Sequence, residues 1–226
     1  MPLPTLPTRR SFLTAAAATS LYSLADIPAH AASAEALSDD AAKPDASLFI
    51  IAPQPGYTPQ IGILVAELNY LRHALLGFVK GMSQKDLDFL IDPNANSIGA
   101  LLLHLSATET YYGMNTFQNM KWDSWPEDVK KKWDPAMNLG DAGRKEIKGH
   151  DLDFYLNALH ESRERNLAEF KKRDDKWLLG SDTPQFEGVK VNTYWKWFHV
   201  AEHESHHGGQ IAFLAKRLPG AKPSAD

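Results

Sequence analysis

Residues 192–218 read NTYWKWFHVAEHESHHGGQIAFLAKRL, and this stretch decides the fold. Its apolar residues recur with the three- and four-residue spacing of an amphipathic α-helix. The pattern begins at about Asn192, and Pro219-Gly220 ends it. The stretch therefore predicts one long helix over about residues 192–218, with a polar stripe that is rich in histidine.

Three further segments upstream show the same helical periodicity. They are expected at about residues 58–82, 97–118 and 151–173. Between the second and third lies a Trp-, Pro- and Lys-rich insertion, residues 119–150, which we expect to be a packed loop with short helical pieces. Four long amphipathic helices with almost no alternating strand pattern predict an all-α protein. The architecture is a four-helix bundle with an insertion between helices two and three.

The composition of the 226-residue chain excludes several classes of function. The chain has no cysteine, which rules out disulfides, thiolate catalysis, Cys-ligated zinc and iron–sulfur clusters. Its formal net charge is −4 and its basic residues are scattered, so the sequence predicts no nucleic-acid partner. No run of about 18 apolar residues follows the N-terminal region, so no stable membrane insertion is expected.

The first 31 residues have the pattern of an export signal. Thr8-Arg9-Arg10-Ser11-Phe12-Leu13 places two arginines before a mildly hydrophobic, Ala-rich stretch, and Ala29-His30-Ala31 is a small-x-small cleavage pattern. This pattern is typical of a bacterial twin-arginine (Tat) signal peptide, with a Sec signal as the closer alternative. A membrane anchor is disfavoured because the apolar stretch is too short to span a bilayer. We therefore expect export by the Tat machinery to the periplasm or another extracytoplasmic site.

The predicted chain organisation has four parts. Residues 1–31 form the signal peptide, residues 32–56 a linker, residues 57–220 the helical bundle and residues 221–226 a short tail. The linker prediction rests on several prolines, which break any helix in that segment.

Histidines share one face of the fourth predicted helix. At about 100° per residue, His199, His203, His206, His207 and Gln210 fall within a wedge about 100° wide, and no carboxylate is clearly on that face. Two histidines four residues apart, as His203 and His207 are, can reach one metal ion from one side of a helix. The pattern therefore predicts half of a metal site, which a ligand from another element must complete.

The second predicted helix offers that ligand. His104 stands alone in residues 101–105 (LLLHL), the most apolar part of the bundle. A buried imidazole needs a partner for both nitrogens, and leucines supply none. A metal ion on one nitrogen and a carbonyl or carboxylate on the other would satisfy both. His104, His203 and His207 are therefore the candidate ligands of one divalent ion, and a core histidine that is only hydrogen-bonded is the alternative for His104 alone.

The remaining polar residues of this face are expected to support the site. His199, one turn before His203, is the candidate catalytic residue, as a base or proton shuttle, with a fourth ligand as the alternative. Gln210 would orient a ligand or a bound water from behind the metal ligands. His206 is expected at the surface or a helix boundary, as a neighbour of the site rather than a ligand.

The two histidine segments together resemble a known family. Residues 97–105 (SIGALLLHL) with Glu109, and residues 202–211 (EHESHHGGQI), are similar to the motifs of the DinB-like superfamily of metal-binding four-helix bundles. The resemblance covers about residues 57–220. It implies that a divalent ion, often nickel or zinc, is held by one histidine of the second helix and an HxxxH pair of the fourth. Those positions are His104, His203 and His207 here.

The resemblance also implies a range of activities. Relatives include bacillithiol and mycothiol S-transferases, a metal-dependent isomerase and the iron-binding domain of ergothioneine-synthesising enzymes. We therefore expect an exported metal-dependent enzyme of the hydrolase or transferase type, with Zn, Ni or Fe as cofactor and an unknown small molecule as substrate. Such an ion can polarise a carbonyl or lower the pKa of bound water to about 7.

Alternatives stay open at this point. One is a periplasmic protein that buffers or carries the ion without chemistry, and another is a metal-free structural module. Low-molecular-weight thiols are cytoplasmic, so an exported thiol transferase would need another nucleophile outside. Related proteins often pair, which leaves a homodimer open.

Overall fold

A computed structural model of the chain describes residues 46–222, and the regular secondary structure in this range is helical. A short 3-10 helix, Ala46–Phe49, precedes eight α-helices. These are α1 (Pro59–Val79), α2 (Gln84–Leu87), α3 (Ile98–Phe117), α4 (Glu127–Asn138), α5 (Gly140–Glu146), α6 (Leu152–Phe170), α7 (Asp175–Leu179) and α8 (Thr193–Ala215). The predicted all-α class is confirmed. The predicted export signal, residues 1–31, lies outside the described residues, as do part of the predicted linker and the last four residues of the predicted tail.

The long helices α1, α3, α6 and α8 correspond to the four predicted helices. Each begins one residue after its predicted start, because the residue at that start is the N-cap of the helix. The side chains of Ser97, Asp151 and Asn192 each accept a hydrogen bond from the backbone N–H three residues further on. α3 packs against α6 and α8, and α1 packs against α8. The buried apolar residues between these helices form two clusters.

The insertion folds as α4 and α5, with α4 lying against α3. Trp125 and Trp133 are buried and pack into the same apolar cluster as the core of α3. The ring of Tyr111 stacks on Trp125 with centroids 4.9 Å apart, and its hydroxyl donates to Asp134 Oδ1 at 2.5 Å. The insertion is thus a packed segment with helical pieces, as predicted.

α1 departs from the expectation that no later segment is apolar enough for a membrane. Among the described residues it is the one helix that could cross a bilayer by length and composition, with a mean hydropathy of 1.2. Its Ile61, Leu64 and Leu68 are fully buried in the cluster that contains Trp197 of α8. A buried core helix of a helical bundle can have the same length and apolar composition, so these two properties are weak evidence for a membrane span.

Four buried charged residues, one from each long helix, meet at the centre of the bundle. Arg72 of α1 and Arg163 of α6 each contact Glu109 of α3 and Glu204 of α8, with N–O distances of 2.6 to 2.8 Å. The two carboxylate side chains are each 2% exposed. Two positive and two negative charges therefore neutralise one another inside the protein. We call these four residues the ion quartet.

Further hydrogen bonds complete the ion quartet. Arg72 Nη1 donates to the carbonyl of Leu159 at 2.9 Å, and Arg163 Nη1 donates to that of Leu68 at 2.7 Å. Burial by itself raises the pKa of Glu109, but Arg163 and Arg72 outweigh it and hold that pKa below its usual value. The Glu109 carboxylate is therefore placed to stay charged, and each guanidinium bonds to the three other long helices.

Replacement of Arg163 by Met tests how much the ion quartet contributes to the stability of the fold. We expect Arg163→Met to lower the free energy of unfolding by about 3–5 kcal/mol, because it leaves the single charge of Arg72 to balance two buried carboxylates. Urea denaturation followed by far-UV circular dichroism measures the change. The matched control is Arg165→Met on the same helix, where the side chain is 54% exposed and a change within about 0.5 kcal/mol is expected. Equal stability of the two variants would contradict the prediction.

Candidate metal centre

Three histidines meet where α3 and α8 face each other. One ring nitrogen from each of His104, His203 and His207 lies within 4.8 Å of the others. His104 Nε2 and His203 Nε2 are 2.8 Å apart. His104 is 6% exposed, and the other two are half-buried. The structure thus brings together the three residues predicted as ligands, which we call the histidine trio.

Hydrogen bonds on the far side of two rings fix which nitrogen is free. His104 Nδ1 lies 2.9 Å from the carbonyl oxygen of Ala136, which can only accept, so Nδ1 carries the hydrogen. His207 Nδ1 lies 2.9 Å from Gln210 Oε1 and donates in the same way. Each ring therefore keeps a lone pair on Nε2. The carbonyl partner that the sequence requires for His104 is present.

Burial keeps the imidazoles of the histidine trio neutral. Burial and the neighbouring His207 lower the pKa of His104 to about 4 and that of His203 to about 3. Burial also lowers the pKa of His207. Neutral imidazole is the form that binds a metal ion, so these rings need not lose a proton first at neutral pH.

The donor set fits a divalent transition metal. Imidazole suits zinc, nickel and iron, whereas calcium and magnesium prefer oxygen ligands. A metal–nitrogen bond of about 2.1 Å places tetrahedral ligands about 3.4 Å apart, and the nitrogens here are separated by 2.8 Å to at most 4.8 Å. Three lone pairs that face one another repel unless a proton or a cation lies between them. The histidine trio could therefore bind a metal ion.

The other predicted site residues, His199, Gln210 and His206, differ in their distance from the histidine trio and in their exposure to solvent. The ring of His199 is 5.7 Å from that of His203, centroid to centroid, and stacks on Trp195 at 5.4 Å. Gln210 contacts His207 through its Oε1. The side chain of His206 is 72% exposed, and its Nδ1 lies 3.7 Å from Glu202 Oε1. His199 and His206 are therefore outside the group of converging nitrogens.

Sequence reasoning missed the backbone contribution of the insertion. The carbonyl of Ala136 orients His104, yet it belongs to a small residue of α4, 32 positions away. No side-chain pattern marks a carbonyl acceptor, so only the packing of α4 on α3 reveals it. Met137, the next residue of α4, contacts Thr108, which lies one helical turn after His104 on α3. The Thr108 hydroxyl is 3.8 Å from the Met137 sulfur.

Comparison with known proteins adds a family to this geometry. The model of a family described as MST, mycothiol-S-transferase, matches residues 63–220, which include the whole histidine trio. The chain belongs to the mycothiol-S-transferase family. The family is DinB-like, so the resemblance found in the sequence is confirmed at that level. Its members are typically metal-dependent. A search of curated proteins gives no match.

Loss of a single histidine from the trio should remove the metal. We expect about one equivalent of metal in the purified protein, measured without a histidine tag by inductively coupled plasma mass spectrometry. His104→Ala and His203→Ala should each retain less than about a tenth of it, because two remaining imidazoles bind weakly. His206→Ala on the same helix is the matched control and should retain the metal. Full metal content in His203→Ala would refute the ligand assignment.

Proposed function

We propose that this protein is a metal-dependent S-transferase that joins a thiol to an electrophilic small molecule. The observation that carries the proposal is the convergence of three neutral imidazoles in a chain of the mycothiol-S-transferase family. The sequence left hydrolase and transferase open, and the family favours transferase. Zinc, nickel and iron all suit the imidazole donors.

His104, His203 and His207 are the residues that would hold the ion. When bound, the ion supplies a Lewis acid that favours the thiolate over the thiol. The chain contributes the setting for this chemistry. Ala136 and Gln210 hold two of the imidazoles in one tautomer and orientation. The part of the chain that the structure describes places no carboxylate in the histidine trio, so the positive charge would stay available to a bound anion.

The transfer itself is a substitution at carbon. The thiol gives up its proton, its sulfur forms a bond to the electrophilic carbon, and the leaving group departs with the electrons of the broken bond. His199 is our candidate for receiving the proton, because its ring lies beside His203 and its Nδ1 is 3.7 Å from Glu202 Oε1. The side chain of His199 is 31% exposed, so a proton can pass from it to solvent.

Turnover with a defined thiol and electrophile tests the proposal. The protein is loaded with zinc or nickel and assayed with mycothiol and 1-chloro-2,4-dinitrobenzene, following the absorbance of the thioether. We expect His203→Ala to lose at least about 100-fold in rate, because a change in the metal ligands removes the activating charge. His206→Ala should retain the rate. A chelator should abolish turnover, and added metal should restore it.

Two results would count against the transferase. Turnover that survives chelation, or that is retained in His203→Ala, would separate the reaction from the histidine trio. Absence of turnover with every metal, together with metal loss to a competing chelator within seconds, would favour a protein that buffers or carries the ion.

We further propose that the chain is exported by the Tat pathway, a proposal that rests on Arg9, Arg10 and the cleavage pattern at residues 29–31. Replacement of both arginines by lysine should keep the protein in the cytoplasm, because the pathway reads the arginine pair. Cell fractionation and immunoblotting measure the distribution, with Arg165→Lys as the charge-conserving control. Unchanged export of the double variant would contradict the Tat route. Because low-molecular-weight thiols are cytoplasmic, an exported enzyme would need a thiol from another source outside the cytoplasm.

A further inference from the structure

The side of α8 that carries the histidines continues past the trio in both directions. Trp195 and His199 precede His203 along this side, and Gln210 and Phe213 follow it, at spacings of three or four residues. The Trp195 and Phe213 side chains are 37% and 49% exposed. The two α8 histidines of the trio, His203 and His207, therefore lie midway along a partly exposed strip of α8 rather than at its end.

At one end of the strip, aromatic side chains from separate segments gather around His199. The ring centroids of Tyr112 on α3, Phe186 and Trp195 lie 5.9, 5.9 and 5.4 Å from that of His199. Trp122 of the insertion lies 5.3 Å from Tyr112 and is 36% exposed. We call these four aromatic residues the aromatic shelf. Partly exposed indole rings beside a reactive site offer a surface for flat, apolar molecules.

A buried lysine holds one wall of the aromatic shelf in place. Lys196 is fully buried, and its ammonium donates to Asn115 Oδ1 at 2.7 Å, Thr183 Oγ1 at 2.9 Å and Pro184 O at 2.5 Å. Its three N–H groups thus have three acceptors, two of them just before Phe186 in the chain. The position of Phe186 is therefore fixed by the fold and not only by ring contacts.

At the other end of the strip lies a polar recess of about 550 Å³. Amide side chains of Asn94, Asn96 and Gln210 line it, together with the apolar side chains of Leu101, Phe213 and Leu214. His206 also lines it, and none of the lining residues is a lysine, arginine, aspartate or glutamate. This volume accommodates a small molecule, and amide groups recognise hydroxyl and amide groups rather than net charge. Gln210 connects the recess to the histidine trio, since its Oε1 contacts His207.

We propose that the two ends of this strip bind the two substrates of the transfer. The aromatic shelf holds a flat apolar electrophile, and the polar recess holds the uncharged polar part of the thiol. The inference rests on the proposed function, because a transferase must bring both reactants to one reacting centre. With the histidine trio between the two ends, the sulfur and the electrophilic carbon approach each other at the metal site.

Two substitutions separate the ends without touching the histidine trio. Trp195→Ala removes part of the aromatic shelf, and Phe198→Ala, at an exposed ring of α8 that is not in the shelf, is its matched control. Gly209→Leu fills the recess, because a Cβ at Gly209 meets nothing within 4 Å. Gly77→Leu is its control, since Gly77 also lies in a helix with open space around it. Leucine is a better helix former than glycine, so both Gly variants should fold.

Binding is measured without turnover. Equilibrium dialysis with 4-nitroaniline reports on the aromatic shelf, and calorimetry with mycothiol reports on the recess. We expect Trp195→Ala to weaken 4-nitroaniline binding about tenfold, because a stacking partner is lost, and to change mycothiol binding by less than about twofold. Gly209→Leu should show the reverse. Phe198→Ala and Gly77→Leu should match the wild type for both ligands.

Equal weakening of both ligands in both variants, or no weakening in either, would overturn the two-ended arrangement. The transferase assay is a separate measurement on the same variants. Absent turnover with selective binding intact would overturn the proposed reaction and leave the two ligand sites standing. Normal turnover with unselective binding would overturn the two ligand sites and leave the reaction standing.

Discussion

The contact of two guanidinium groups with two carboxylates inside the bundle is the interaction on which the rest of the structure depends. Each of the four side chains comes from a different long helix, so the ion quartet ties α1, α3, α6 and α8 at one level. A guanidinium presents its donors in a fixed plane, which restricts the rotation of every helix it contacts. Apolar contacts alone would tolerate small rotations of a helix about its axis, whereas this arrangement does not.

The same helix rotation that satisfies the ion quartet brings the histidine trio together. Glu109 follows His104 by five residues on α3, and Glu204 is the neighbour of His203 on α8. The glutamate of each helix therefore points toward α1 and α6, whereas His104 of α3 and His203 of α8 point toward each other. Once the carboxylates reach the arginines, the imidazoles are left facing one another. The charged core of this protein thus positions its candidate metal site.

The local parts of this arrangement could be predicted from the sequence, and the long-range parts could not. Apolar spacing and N-caps such as Ser97 located the long helices, because both signals lie within a few residues of the helix they define. The spacing of His203 and His207 and the apolar setting of His104 located the trio for the same reason. Arg72 and Glu204 are 132 residues apart, and a lone charge in a sequence indicates a solvated side chain. Lys196 was missed because its acceptors come from three segments that only the fold brings together.

The insertion between α3 and α6 helps to set the orientation of His104. A histidine surrounded by leucines needs an acceptor for its second nitrogen, and the leucine side chains offer none. The Ala136 carbonyl is available because it lies in the last turn of α4, which ends at Asn138, and the last carbonyls of a helix have no N–H of that helix to accept from. Asp134, two residues earlier, fastens the same segment to α3 through Tyr111. The insertion therefore supplies the acceptor that leaves His104 Nε2 free for a metal ion.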